Sequence, residues 1–379
     1  MKNPFLLLVT SYLLLITPLF AHAAGTIRVA VLQDVESFSL KVHGPYEVKS
    51  LDDNETLWEG KELMTTVSTY ARRILIGGHS ISASRIVISP FSQEDIVLIN
   101  GRRFRGDIQC LRLDAKKLTV VNILDLEDYV KGILYHEASH YWPMEVLKAQ
   151  AIVCRSYAVY QKQANRSQVF DLTNDQYSQI YGGRTSERSR TNKVVEETAG
   201  LVLSFQEKVI PAYFHATCGG HTEDASRLWN TDVACLKGVV CKFCQGSPHY
   251  QWHCVLALSQ IEESLKSAGY PITKMKDIRI ISRNTSGRIV DLELISAKKS
   301  LTISAKDFRL ALNPRILRST NFTVRVAGNE AVFEGKGWGH GVGFCQWGGY
   351  FMAKDGRSFR EILSYYYPGT EVVTVNRIK

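Results

Sequence analysis

Between residue 26 and about residue 110 the chain is apolar in short bursts. Ile27-Arg-Val-Ala-Val-Leu32, Ser37-Phe-Ser-Leu-Lys-Val42, Ile86-Val-Ile88 and Ile96-Val-Leu-Ile99 alternate or run apolar, as strands do. Asp52-Asp-Asn and Asn100-Gly101 separate them as turns. The pattern predicts a β-rich N-terminal domain over residues 24–109 and one further strand within Leu111 to Val121.

The period then changes. Tyr129, Ile133 and Leu134 share one helical face, and Asp125 or Asp128 is placed to cap that helix. Val146, Leu147, Ala151, Cys154 and Ala158 recur at helical spacing in a second helix, with Pro143 suited to its first position. After Thr191 a helix and strands follow. Ile278 to Ile281 and Ile289 to Ile295, around Asn284-Thr-Ser-Gly287, read as a hairpin. The expectation is an α+β fold in which strands outnumber helices. A strand-rich N-terminal part leads into a mixed catalytic domain, residues 110–379, that holds the two-helix segment and a Cys/His-rich lobe at about 215–254.

Glu137 falls at the break between the two helices, crowded by Tyr135, His136, Tyr141 and Trp142. Removing a carboxyl group from water penalises its charged form and raises its pKa. Such an acid stays protonated near neutrality and serves as a general acid. The same stretch, His136-Glu137-Ala-Ser-His140, also fits H-E-x-x-H, where two histidines one turn apart bind zinc and the glutamate is the base. Pro143, three residues later, and the absence of a following G-x-x-H argue against that zinc-peptidase reading.

Leu126-Glu-x-Tyr-Val-x-Gly, Glu137, Trp142-Pro143, Glu145, Leu147-Lys-Ala-Gln-Ala151 and Arg155-Ser-Tyr-Ala158 together resemble the SpoIID/LytB family of peptidoglycan lytic transglycosylases. Two further blocks resemble it in the same order. One comprises Ser178-Gln-Ile-Tyr-Gly182, Glu197-Thr-Ala-Gly200 and Ala212 to Glu223; the other comprises Gly337 to Gly348, Met352-Ala353, Gly356 and Ile362 to Thr370. The resemblance implies Glu137 as the single catalytic acid and base, with Gln179 and Tyr181 contacting substrate. It also implies 1,6-anhydromuramic ends as product, peptide-stripped glycan strands as substrate and a cooperating N-acetylmuramoyl-L-alanine amidase. A non-catalytic, amidase-activating wall-binding module is the alternative. The family name does not fix the process: sporulation, division and wall remodelling are all compatible.

The loop Gly337-x-Gly-x-Gly-x-Gly343 lacks the Lys-Ser/Thr ending of a phosphate loop. Its glycines are expected to let backbone approach a sugar ring, with His340, Gln346 and Trp347 as substrate-binding candidates. Trp338 serves equally well as a packed turn residue, and Arg155 and Tyr157 are expected to pin the second helix.

Lys2, an apolar run from Phe5 to Phe20 and Ala21-His22-Ala23 form a signal peptide over residues 1–23. The run is shorter than the roughly 20 residues of a membrane span. Export to the periplasm or cell envelope is therefore expected, with the mature chain starting at Ala24. Composition, 45% hydrophobic and 22% charged, is that of a folded globular protein. Loss of Lys2 takes one unit from the formal charge of +9. The basic residues are scattered, and no nucleic-acid partner is expected.

All eight cysteines lie in the mature part. Cys154 is expected in the core. Cys218 with Cys241-Lys-Phe-Cys244 supplies three thiolates in zinc-ligand spacing, and His215 is the candidate fourth ligand of a structural zinc. Disulfides are the competing use in an exported chain.

Overall fold

The computed structural model describes residues 25–92, 94–175, 178–229, 231–297 and 299–378. The expected signal peptide and its cleavage point lie outside them. No helix among the described residues is long and apolar enough to cross a membrane.

The N-terminal bursts build an 11-stranded sheet. Its main path runs Leu172–Thr173, Thr26–Val35, Leu118–Asp125, Asp107–Arg112, Arg85–Pro90, Ser37–Ser50, Thr56–Tyr70, Arg73–Ile76 and His79–Ile81. Ile96–Ile99 and Arg102–Phe104 pair beside Ser37–Ser50. Alternation sets the faces: Phe38, Leu40 and Val42 are buried, as are Ile27, Val29 and Val31. Strand Asp107–Arg112 spans residues 109 and 110, and the N-terminal strand Thr26–Val35 pairs antiparallel with Leu118–Asp125, Ile27 opposite Leu124. The N-terminal strands and the lead into the first helix thus share one sheet.

Helix α1 (Leu126–Glu137) begins where strand Leu118–Asp125 ends, and Asp125, not Asp128, caps it by accepting from Glu127 N at 2.8 Å. Asp128 instead lies near Arg105 and Lys131. In α2 (Met144–Ala164) Pro143 is the cap rather than the first helical residue: its ψ of 145° is extended, while its carbonyl accepts from Leu147 N.

Helix α2 is buried almost all round from Val146 to Val159, as a helix between two cores must be. Leu147, Ala151, Cys154 and Ala158 pack with the sheet and α1; Val146, Ala149, Ile152 and Val153 pack into a second core with Phe344, Ile362 and Tyr366. Fully buried Arg155 locks the two helices, its guanidinium meeting Glu127 at 2.8 and 2.6 Å. Helix α3 (Ser189–Glu197) follows, and then a lobe from Gln251 to Lys336 with its own core of Trp252, Ile261, Leu292, Phe308 and Phe333. Two three-stranded antiparallel sheets, α4 (Leu258–Ser267) and α5 (Ala305–Ala311) build it, and the expected hairpin is there, Ile280 opposite Leu292. The chain closes with α6 (Gln346–Lys354) and α7 (Phe359–Tyr366). The fold is α+β with strands in excess.

Candidate active site

Glu137 is the last residue of α1, and Ala138 leaves the helix at φ −144°, ψ 143°. The carboxyl group lines a cleft of about 930 Å³. It is half-buried, and burial pushes its pKa up to about 7 against the opposing donation of Ile180 N to Oε1 at 3.2 Å. Near neutral pH the group is therefore about half protonated, the state a general acid needs.

The backbone at Glu137 is held from the far end of the chain. Gln346, at the start of α6, donates Nε2 to the Glu137 carbonyl at 2.7 Å and to Gln150 Oε1 at 3.2 Å. Gln150 in turn donates to Cys154 Sγ within α2. Gln346 also lines the cleft, but its amide hydrogens are committed to positioning the acid rather than left for a sugar.

One cleft wall is aromatic. Tyr213 stacks on Trp229 at 4.3 Å, with the His340 ring edge-on to Trp229 at 5.0 Å. His340 Nδ1 accepts from Val342 N, so the neutral ring carries its proton on Nε2. Burial lowers its pKa to about 3 and keeps it neutral. His340 lines the cleft. His215, 4% exposed, donates Nδ1 to Val342 O, while its Nε2 has no partner among the described residues. Burial, with His340 and Arg288 nearby, holds it neutral too, and His215 lines the cleft.

Other expected substrate contacts lie elsewhere. Tyr181 is buried: its hydroxyl donates to Asn122 Oδ1 at 2.8 Å, and a Cβ on Gly132 would come within 2.5 Å of its ring, so it packs against α1. Gln179 is buried as well, accepting from Tyr129 and preceding the residue that touches Glu137. Trp347 packs edge-on to Trp142 at 5.1 Å instead of lining the cleft. The glycine loop also serves packing. Gly339 has φ +111°, and a Cβ there would come within 2.8 Å of His215; at Gly341, φ +91°, it would meet the Arg288 guanidinium. Trp338 does line the cleft.

The H-E-x-x-H alternative needs one continuous helical turn, and the helix ends at Glu137. His136 Nε2 bonds to Ser186 Oγ at 2.6 Å, while His140 lies in the following turn against Tyr141 and Tyr135. Nor does His215 join the expected zinc ligands: the buried group is Cys218, Cys241, Cys244 and Cys345, because the parallel bridge between Phe214–His215 and Phe344–Cys345 brings Cys345 alongside.

Sequence reasoning did not single out Asp175, Lys306 or Arg309, all of which line the cleft. Arg309 is half-buried, donates Nε to Leu317 O and has no carboxylate partner among the described residues. Its pKa is lowered by burial to about 10, so it remains a cation at pH 7. Nothing in its local sequence signals this, since the lobe carries it to the site from 172 positions beyond Glu137.

Residues 114–205 match the profile of a family described as Stage II sporulation protein (SpoIID), and residues 237–343 match a Domain of unknown function (DUF8618). An uncharacterized protein of Brachyspira hyodysenteriae is 32% identical over 362 residues, 95% of this chain and 96% of its own. Stage II sporulation protein D of Bacillus subtilis is 29% identical over 66% of this chain and 75% of its own. A Bacillus subtilis protein named amidase enhancer is 25% identical over 89% of this chain and 51% of its own.

Proposed function

The chain belongs to the SpoIID family, and with that as premise we propose that it is a lytic transglycosylase cutting the β-1,4 bond between N-acetylmuramic acid and N-acetylglucosamine in peptidoglycan. A role at the cell wall follows from the family. The observation that carries the finer reading is the raised pKa of Glu137 at the floor of an aromatic-walled cleft.

In this reaction protonated Glu137 gives its proton to the glycosidic oxygen as the bond to the muramic C1 breaks. The C6 hydroxyl oxygen of the same sugar bonds to C1, and its proton passes to the Glu137 carboxylate. The acid is regenerated, no water is consumed, and one carboxyl group suffices where ordinary glycosidases use two. Tyr213, Trp229 and Trp338 offer faces for sugar rings. Arg309 and Lys306 suit the lactyl carboxylate that muramic acid exposes once its peptide is gone, which supports peptide-stripped strands as substrate. An N-acetylmuramoyl-L-alanine amidase would supply such strands, and the relative named amidase enhancer supports that partnership. Export to the cell envelope, as the leader predicts, brings the enzyme to this substrate.

Asp175 favours one second reading, because a second carboxylate on the same cleft is what hydrolysis requires. Mass spectrometry of peptide-free glycan strands separates the two. Anhydromuramic ends that vanish with Glu137→Gln and persist with Asp175→Asn support the transglycosylase. Reducing ends that need both residues mean a hydrolase. If the strands stay intact and a partner amidase speeds up, the chain is an activating module.

A further inference from the structure

We propose that Cys218, Cys241, Cys244 and Cys345 hold one structural zinc ion that staples the start of α6, where Gln346 stands, beside the cleft. The proposal does not depend on the glycan reaction.

The four sulfur atoms lie within 4.8 Å of one another, and all four residues are buried. Cys218 and Cys244 Sγ are 3.4 Å apart. A tetrahedral zinc with thiolates at about 2.3 Å spaces its sulfurs about 3.8 Å apart, so the thiols need only small shifts to close on an ion. Convergence of four sulfurs on one point is the geometry of a metal shell rather than of two separate disulfides.

The surroundings suit thiolates. Cys218 N donates to Cys345 Sγ at 3.2 Å, Gly220 N donates to Cys218 Sγ at 3.4 Å, and the Tyr366 hydroxyl lies 3.2 Å from Cys241 Sγ. Such outer donors orient and stabilise ligand sulfurs. Fully buried Arg288 bonds the Cys218 and His221 carbonyls, bringing positive charge beside a shell whose net charge with four thiolates is negative. With no position left for water, the site is closed, and its role is structural.

The ligands come from three segments distant in sequence. Cys218 follows the short strand Phe214–His215, Cys241 and Cys244 share one C-x2-C turn, and Cys345 ends the strand paired with Phe214–His215. The next residue is Gln346, which holds the Glu137 carbonyl. The ion therefore fixes both strands beside the cleft and the start of α6.

The test uses the full exported chain, purified without metal-affinity steps. Elemental analysis is expected to find one zinc per chain, and replacement by cobalt to give the visible bands of a tetrahedral thiolate site. Cys345→Ser is expected to lose most of the zinc, whereas His215→Ala keeps it. Chelation lowers the melting temperature on the order of 10 °C. Should Cys345→Ser fail to fold, the zinc content and cobalt spectrum of the unaltered chain still decide. A metal-free chain, with thiols reduced or paired as disulfides, overturns the proposal. So does iron in place of zinc, or a His215→Ala variant that has lost the metal.

Discussion

Gln346 reaches across 209 positions of sequence to donate a 2.7 Å hydrogen bond to the backbone carbonyl of Glu137. The acid is thereby tied to α6 as well as to the end of α1. Gln346→Ala leaves the carbonyl and Gln150 short of a donor, at a cost of about 1–3 kcal/mol. A displaced acid is expected to lower kcat roughly 100-fold with KM little changed. Steady-state kinetics on peptide-stripped strands, beside urea denaturation, measures both effects.

Glu137→Gln is expected to lower glycan cleavage by about 10²–10⁴-fold, the usual contribution of a positioned proton donor. Activity of the unaltered enzyme should fall as pH rises through about 7, where the acid loses its proton. Stability follows the same sign. The folded pKa lies above the ordinary 4.5, so the group's contribution is fully present below pH 4.5 and lost as pH rises through about 7. Glu137→Gln should therefore match the parent at pH 4 and exceed it by up to about 3 kcal/mol at pH 8 in denaturant titrations.

Arg309→Ala should raise KM for peptide-stripped strands roughly 10- to 100-fold, the value of a charge-assisted hydrogen bond. Lys306, exposed on the rim, should contribute less, and added salt should weaken its effect first. Strands whose lactyl group carries a peptide amide should show little change with either variant, a comparison that isolates recognition of the carboxylate.

Arg155→Ala strands Glu127 between α1 and α2 without its bidentate partner and is expected to cost about 3–5 kcal/mol. Adding Glu127→Gln should recover part of that loss. Thermal unfolding of the four proteins in the cycle gives the coupling directly.

Much of this was legible from residue order. The period change after residue 125 located both helices, Asp125 was one of two candidate caps, and Glu137 fell at the break between the helices. Cys154 lies in the core, as helical spacing placed it. These features are local, set by a few consecutive side chains and the backbone between them.

Contacts between distant segments were not legible in that way. Tyr181 was expected at the sugar and lies inside, because only the packed structure shows Gly132 making room for its ring. His215 and Cys345 stand opposite each other in a two-stranded bridge that no periodicity announces, and only the folded chain shows His215 bonded to Val342 beside the cleft and Cys345 among the thiols. Sequence determined the helix break that holds Glu137, the helices around it and the motifs of the family, since each is written in neighbouring residues. The tertiary structure decided what holds Glu137, what lines the cleft and which sulfurs converge, since burial and hydrogen bonding join groups that the chain keeps hundreds of bonds apart.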